Sequence, residues 1–168
     1  MHFLKCQFFP NAFFIMNDKE KSAYKFRLIN VCKAHVIEIA ETSRKVMEDS
    51  QKSANEYGQP KDRYDSYRAQ LLTRGEMFAT QYQQAMEQFA TLEKIGVEKL
   101  HHKVEFGSVV ITDKQKMFIA TGCGKVELDG DTFFAVSPLV PIFLAMKGMK
   151  KGDVVNFRGQ AIKILDVF

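Results

Sequence analysis

Residues 29–57 read INVCKAHVIEIAETSRKVMEDSQKSANEY, and residues 58–61 read GQPK. In the first stretch, apolar or small residues recur at Ile29, Cys32, Val36, Ile39, Ser43, Val46, Ser50 and Ser53, at alternating intervals of three and four. That alternation is the stripe by which one helix of a coiled coil faces another. The stripe is apolar at its start and becomes serine towards Ser53. Beyond the break the same alternation returns with larger residues at Leu71, Gly75, Phe78, Tyr82, Ala85, Phe89 and Leu92. Gly58 suits the left-handed backbone that closes a helix, and Pro60 suits the first turn of the next. The pattern predicts two long antiparallel helices joined by a short turn. An arm of about 28 residues at ~1.5 Å per residue projects roughly 40 Å. Gly75 weakens the second helix by about 1 kcal/mol relative to alanine; a close approach of the first helix would account for it.

The character of the chain changes after residue 100. Segments rich in β-branched and aromatic residues follow one another at 108–112, 117–121, 125–128, 132–136, 154–158 and 161–167. Such runs read as short strands, and Asp129-Gly130 reads as a tight turn between two of them. Ser137-Pro138 has the form of a helix start, serine capping and proline in the first turn. That helix would run through Val140, Ile142, Phe143 and Met146 to Gly148. The fold class is therefore α+β: a coiled-coil hairpin over 16–100, its tip near 57–65, then a small β-rich domain with one helix over 101–168.

Composition sets the outer limits. The chain has 168 residues, 46% hydrophobic and 26% charged, with 24 Lys+Arg against 20 Asp+Glu. These proportions suit a globular protein of one or two small domains, not a disordered or fibrous chain. A net charge of +4 is too small to mark a nucleic-acid binder by itself. Cys6, Cys32 and Cys123 are odd in number and contain no CxxC pair, which argues against a disulfide framework or cysteine-rich zinc site and for a reducing, cytoplasmic setting. No run reaches the ~18 apolar residues of a membrane span. Residues 1–15, MHFLKCQFFPNAFFI, form a phenylalanine-rich leader. Pro10 and Asn11 split its apolar run and no small-residue cleavage site follows, so a start at Met16, ahead of the helical pattern, is the expectation.

The second half resembles the C-terminal domain of the Gre family of bacterial transcript-cleavage factors. The resemblance rests on Phe106-Gly107-Ser108-Val109-Val110, Gly124-Lys125-Val126, Val136-Ser137-Pro138-Leu139, the segment Met149 to Val155 containing Lys150-Lys151-Gly152-Asp153, and the close Ile162 to Val167. The first half is similar to that family's coiled-coil hairpin, and the stretch from Ser53 to Asp65 looks like a divergent Gre-like branch. The resemblance implies an FKBP-like compact domain that docks on RNA polymerase at the rim of its secondary channel, with Ser137, Pro138, Lys150, Lys151, Gly152 and Asp153 as candidate partner-binding residues. It implies a hairpin that enters the channel and touches nascent RNA and DNA only through the elongation complex. The factor would be a monomer with no cofactor and no independent activity of its own, stimulating the polymerase's hydrolysis of backtracked RNA.

Family members carry two tip acids, three positions apart, that help hold a second Mg²⁺ in the polymerase active site. Mg²⁺ takes hard oxygen ligands, often only one or two protein carboxylates, and paired metals clamp the attacking and leaving oxygens. The resemblance gives Asp62 and Asp65 this catalytic and metal-holding role; at helical spacing i, i+3 they would share one face. A second alignment, anchored on Gly58, puts the uncharged Gln59 and Asp62 there. Acids in the first turns of a helix are also favoured simply by its dipole. Glu48, Asp49 and Glu56 read as a solvated face opposite.

Other groups read as structural. His35 belongs to the first helix. His101-His102 reads as a linker with no acidic or cysteine partner at ligand spacing. Cys123, between two glycines, reads as a turn, and Lys147, Lys150 and Lys151 as a small basic surface. Two alternatives accompany the cleavage factor: a non-catalytic occupant of the same channel, and a peptide-binding or prolyl isomerase module suggested only by the FKBP-like fold.

Overall fold

Asn17 starts the first helix. Its Oδ1 accepts the backbone N–H of Glu20 at 2.9 Å, and the Glu20 carboxylate accepts the Asn17 N–H at 2.7 Å. This reciprocal cap satisfies two N–H groups that the helix itself leaves unpaired. The computed structural model describes residues 16–63 and 65–168; the leader 1–15 lies outside them. Helix α1 (Asp18–Tyr57) runs 40 residues and stops at Gly58, whose φ of +81° closes it. Helix α2 (Tyr67–Glu93) runs 27 residues back along it.

The seam follows the predicted stripe with one drift. Cys32, Val36, Ser43 and Ser50 are buried, but Ala40 and Ala54 are more buried than the expected Ile39 and Ser53. A straight helix at 3.6 residues per turn slides away from a 3.5-residue repeat, and the contact line shifts by one position. Ser43 Oγ donates to Gln81 Oε1 at 3.1 Å, so the serine part of the seam is hydrogen-bonded across the pair. A Cβ added at Gly75 would lie 3.7 Å from Ser50 Cβ. The glycine faces α1, at a distance an alanine tolerates.

Six strands form one sheet: β1 (Val109–Thr112), β2 (Lys116–Ile119), β3 (Gly124–Leu128), β4 (Asp131–Val136), β5 (Val154–Phe157) and β6 (Gln160–Val167). Their order is β3-β4-β2-β1-β6-β5. Neighbours are antiparallel except β2 and β4, which run parallel. Asp129 and Gly130, with φ of 54° and 82°, make the tight turn from β3 to β4; such a turn matches strand twist because both residues are left-handed.

Alternation along the strands builds two cores. Val109, Ile111, Phe118, Phe133 and Ala135 join Tyr24, Leu28, Ile29, Cys32 and Leu92 from the hairpin base. Val110, Met117, Ile119, Ile162 and Ile164 join Phe143 and Met146 of helix α3 (Pro141–Met146) on the other face. The sheet is thus the middle of three layers, and the base of the arm is part of the domain's core. Lys21 Nζ reaches the buried Asp166 of β6 at 2.6 Å, and Arg27 reaches Asp129 at 2.7 Å.

Helix α3 departs from the sequence reading. It starts at Pro141, not at Ser137-Pro138, because Val140 is extended (φ −74°, ψ 143°). A residue before proline is pushed out of the helical region by the ring, and Pro141 takes the first helical position instead. Among the described residues no helix is long and apolar enough to cross a membrane.

Candidate functional site at the hairpin tip

Between the helices, residues 58–63, 65 and 66 are non-helical, and Asp65 organises the turn. Its Oδ2 accepts the backbone N–H of Lys61 at 2.9 Å and the Tyr57 hydroxyl; its Oδ1 accepts the N–H of Tyr67 at 3.2 Å. Three donors from the end of α1, the loop and the start of α2 therefore meet on one carboxylate. Tyr57 and Tyr67 pack edge to face with ring centres 5.0 Å apart, and Lys61 Nζ lies 5.7 Å from the Tyr57 ring centre. The Lys61 N–H, followed by the Tyr57 hydroxyl, holds the Asp65 carboxyl below its usual range. The same bond to Asp65 raises the Tyr57 hydroxyl.

This geometry corrects two expectations. Pro60 lies in the loop and not in a helical turn, since α2 begins only at Tyr67. Asp62 and Asp65 are therefore not paired on a helix face. A short acidic side chain that bonds nearby backbone N–H groups offers the chain an alternative to helix, and Asp65 does this at both Lys61 and Tyr67. Asp65 is half-buried and spent on the turn, whereas Asp62 is exposed at the outer end, and its C=O accepts the Asp65 N–H at 3.3 Å. The exposed acids on α1 nearby are partly offset: Glu48 pairs with Arg44 at 2.9 Å and Glu56 with Lys52 at 3.9 Å. Asp49 and Ser50 line a small groove with Leu71 and Arg74.

Among the described residues no group of three or more His, Cys, Asp or Glu is placed to hold a metal ion. The tip can contribute an oxygen ligand to a cation held by other groups, because Mg²⁺ accepts one or two protein carboxylates alongside water. It does not form a metal site by itself.

The residues singled out in the β domain fall in two places. Ser137 Oγ accepts the N–H of Leu139 at 3.2 Å in the turn before α3. Ser137, Pro138 and Leu139 line a groove against Gln84 and Gln88 of α2, and Leu139 is 84% exposed. Lys150 to Asp153 form the turn entering β5. The Asp153 carboxylate accepts the Lys150 N–H at 2.7 Å, Gly152 takes φ of +95°, and Lys151 Nζ reaches Asp166 at 3.4 Å.

Three features escaped the sequence reading. Tyr57 locks the tip; its place just before Gly58 was the signal. His101 is buried and bonds Glu105 across 2.6 Å, an acidic partner four residues on. Cys32 and Cys123 meet at the junction of arm and domain, which nothing in their spacing foretells.

No family model matches the chain, and no curated protein matches it. Among solved structures the chain is similar to the crystal structure of GreA factor homolog 1 (Gfh1) of Thermus thermophilus, at 16% identity, covering 81% of this chain and 94% of that one with a TM-score of 0.29. A superposition that loose bears on neither fold nor function; the fold described above rests on the chain's own geometry.

Proposed function

We propose that the protein is a transcription elongation factor of Gre type that binds RNA polymerase and inserts its hairpin into the secondary channel. The observation that carries this reading is a long two-helix arm whose tip exposes Asp62, built on a β domain that bears the motifs at Phe106–Val110, Ser137-Pro138-Leu139 and Lys150–Asp153. In this role the domain stays at the channel rim, and Ser137, Pro138 and the Lys150–Asp153 turn meet the polymerase. Asp62 offers an oxygen to a Mg²⁺ of the polymerase active site, which supplies the hydrolytic chemistry. Asp65 and Tyr57 hold the loop that presents Asp62. The protein works from the cytoplasm and has no cofactor of its own.

One observation favours a second reading, a non-catalytic occupant of the same channel: the Asp65 carboxylate is consumed by the turn, whereas the cleavage chemistry uses two tip acids. A cleavage assay on backtracked elongation complexes decides. The wild type is expected to speed release of 3′ RNA fragments at least tenfold, and Asp62→Asn to abolish that while still co-purifying with core polymerase. Binding without added cleavage selects the second reading. Failure to bind core polymerase removes both.

A further inference from the structure

Cys32 sits at the base of α1, wholly buried, and Cys123 lies in the turn ahead of edge strand β3, 8% exposed. Both belong to the apolar cluster shared by arm and sheet, where α1 packs against β3. Across that boundary Cys32 and Cys123 are neighbours in one apolar cluster, and neither is in a disulfide. Cys123 stands between Gly122 and Gly124, and a Cβ added at either glycine would meet nothing within 4 Å. The turn that carries Cys123 therefore has open space on both sides, while Cys32 is fixed in a helix.

We propose that Cys32 and Cys123 form a redox latch, in which a peroxide oxidises the two thiols to a reversible disulfide that ties the hairpin base to the edge of the sheet. The reaction balances with hydrogen peroxide as the oxidant. The Cys123 thiolate attacks one peroxide oxygen, the O–O bond breaks, and a sulfenic acid and one water result. The Cys32 sulfur then attacks the sulfenic sulfur, the S–O bond breaks, and the Cys32 proton leaves with the hydroxide as a second water. Two thiols and one peroxide give one disulfide and two waters. A small dithiol reverses the step by exchange and is itself oxidised. The order follows from the pair. Cys123 has the residual exposure and meets the oxidant first, whereas Cys32 is wholly buried; the thiolate is the nucleophile. The latch is independent of the polymerase reading, since it concerns only the joint between arm and domain.

The test uses the full reduced chain treated with hydrogen peroxide, alkylated, digested and mapped by mass spectrometry. The expected result is a Cys32–Cys123 linked peptide, a fall from three free thiols to one, and full reversal by dithiothreitol. The thermal midpoint of the oxidised form is expected to rise by about 5–10 °C. Cys6→Ser keeps the link, and Cys123→Ser loses it. Links made through Cys6, sulfinic acid at Cys123 without a link, or both thiols still free after Cys6 has been oxidised would each overturn the latch. The mapping is made on the wild-type chain, so a variant that folds poorly does not cloud the result.

Discussion

Lys25 is completely buried. Its Nζ donates to the Lys99 carbonyl at 2.8 Å beneath the joint between arm and domain. Burial, then the Lys99 charge, lowers its pKa from 10.5 to about 8, with Glu105 opposing. Between those values the unfolded chain binds the proton that the folded chain gives up, so stability rises with pH across the window. Tyr24, raised by burial and by Asp131, acts in the opposite sense only above its ordinary value of 10. From pH 8 to 10, wild type is expected to gain on the order of 2 kcal/mol relative to Lys25→Met. Paired denaturant titrations of the two proteins measure that difference, and parallel pH curves would refute it. Burial also lowers His101, against the pull of Glu105. Its charged form is thus disfavoured in the fold, and acid erodes stability as pH falls below 6.5 towards the folded value. The sequence marks neither group, because the burial that shifts them comes from contacts between Lys25 and residues 99–105, far along the chain.

At the scale of elements, the seam of the arm is the most legible part of the molecule. Every residue of the second stripe, from Leu71 to Leu92, is buried or half-buried. Gly75 is the exception to good helix composition there, and the space beside it accepts a methyl at ordinary contact distance from Ser50. Gly75→Ala is accordingly expected to stabilise the protein by about 0.5–1 kcal/mol, read as a raised denaturation midpoint at unchanged slope. Destabilisation would refute this, since the added methyl sits at ordinary contact distance from Ser50 and Met47. The strands were legible too, since β-branched runs between glycines leave few other readings. What stayed hidden has a common cause. The late starts of α2 and α3 depend on a carboxylate gathering N–H groups and on a proline constraining its predecessor, local choices that periodicity does not register. The parallel pairing of β2 with β4 is long-range, and no turn residue announces it.

At the scale of the whole molecule, arm and domain share one core. Leu28 is wholly buried in the cluster where α1 meets the sheet. Leu28→Ala is expected to cost about 2–5 kcal/mol in one cooperative transition, because the cavity opens between the two halves. Leu71→Ala, at a half-buried site near the free end, is expected to cost markedly less. Two separate transitions in either variant would show that the halves fold independently. A rigid shaft seated this way acts as a pointer. Helix α1 has 40 residues, about 60 Å at its ordinary rise. A tilt of about 5° at the seat sweeps the far end through roughly 3 Å, taking some 35 Å of that length as unsupported. Small repackings around Leu28, Tyr24 or Cys32 are thereby magnified into displacements as large as a hydrogen-bond length at Asp62, so aim is set in the core and read out at the loop.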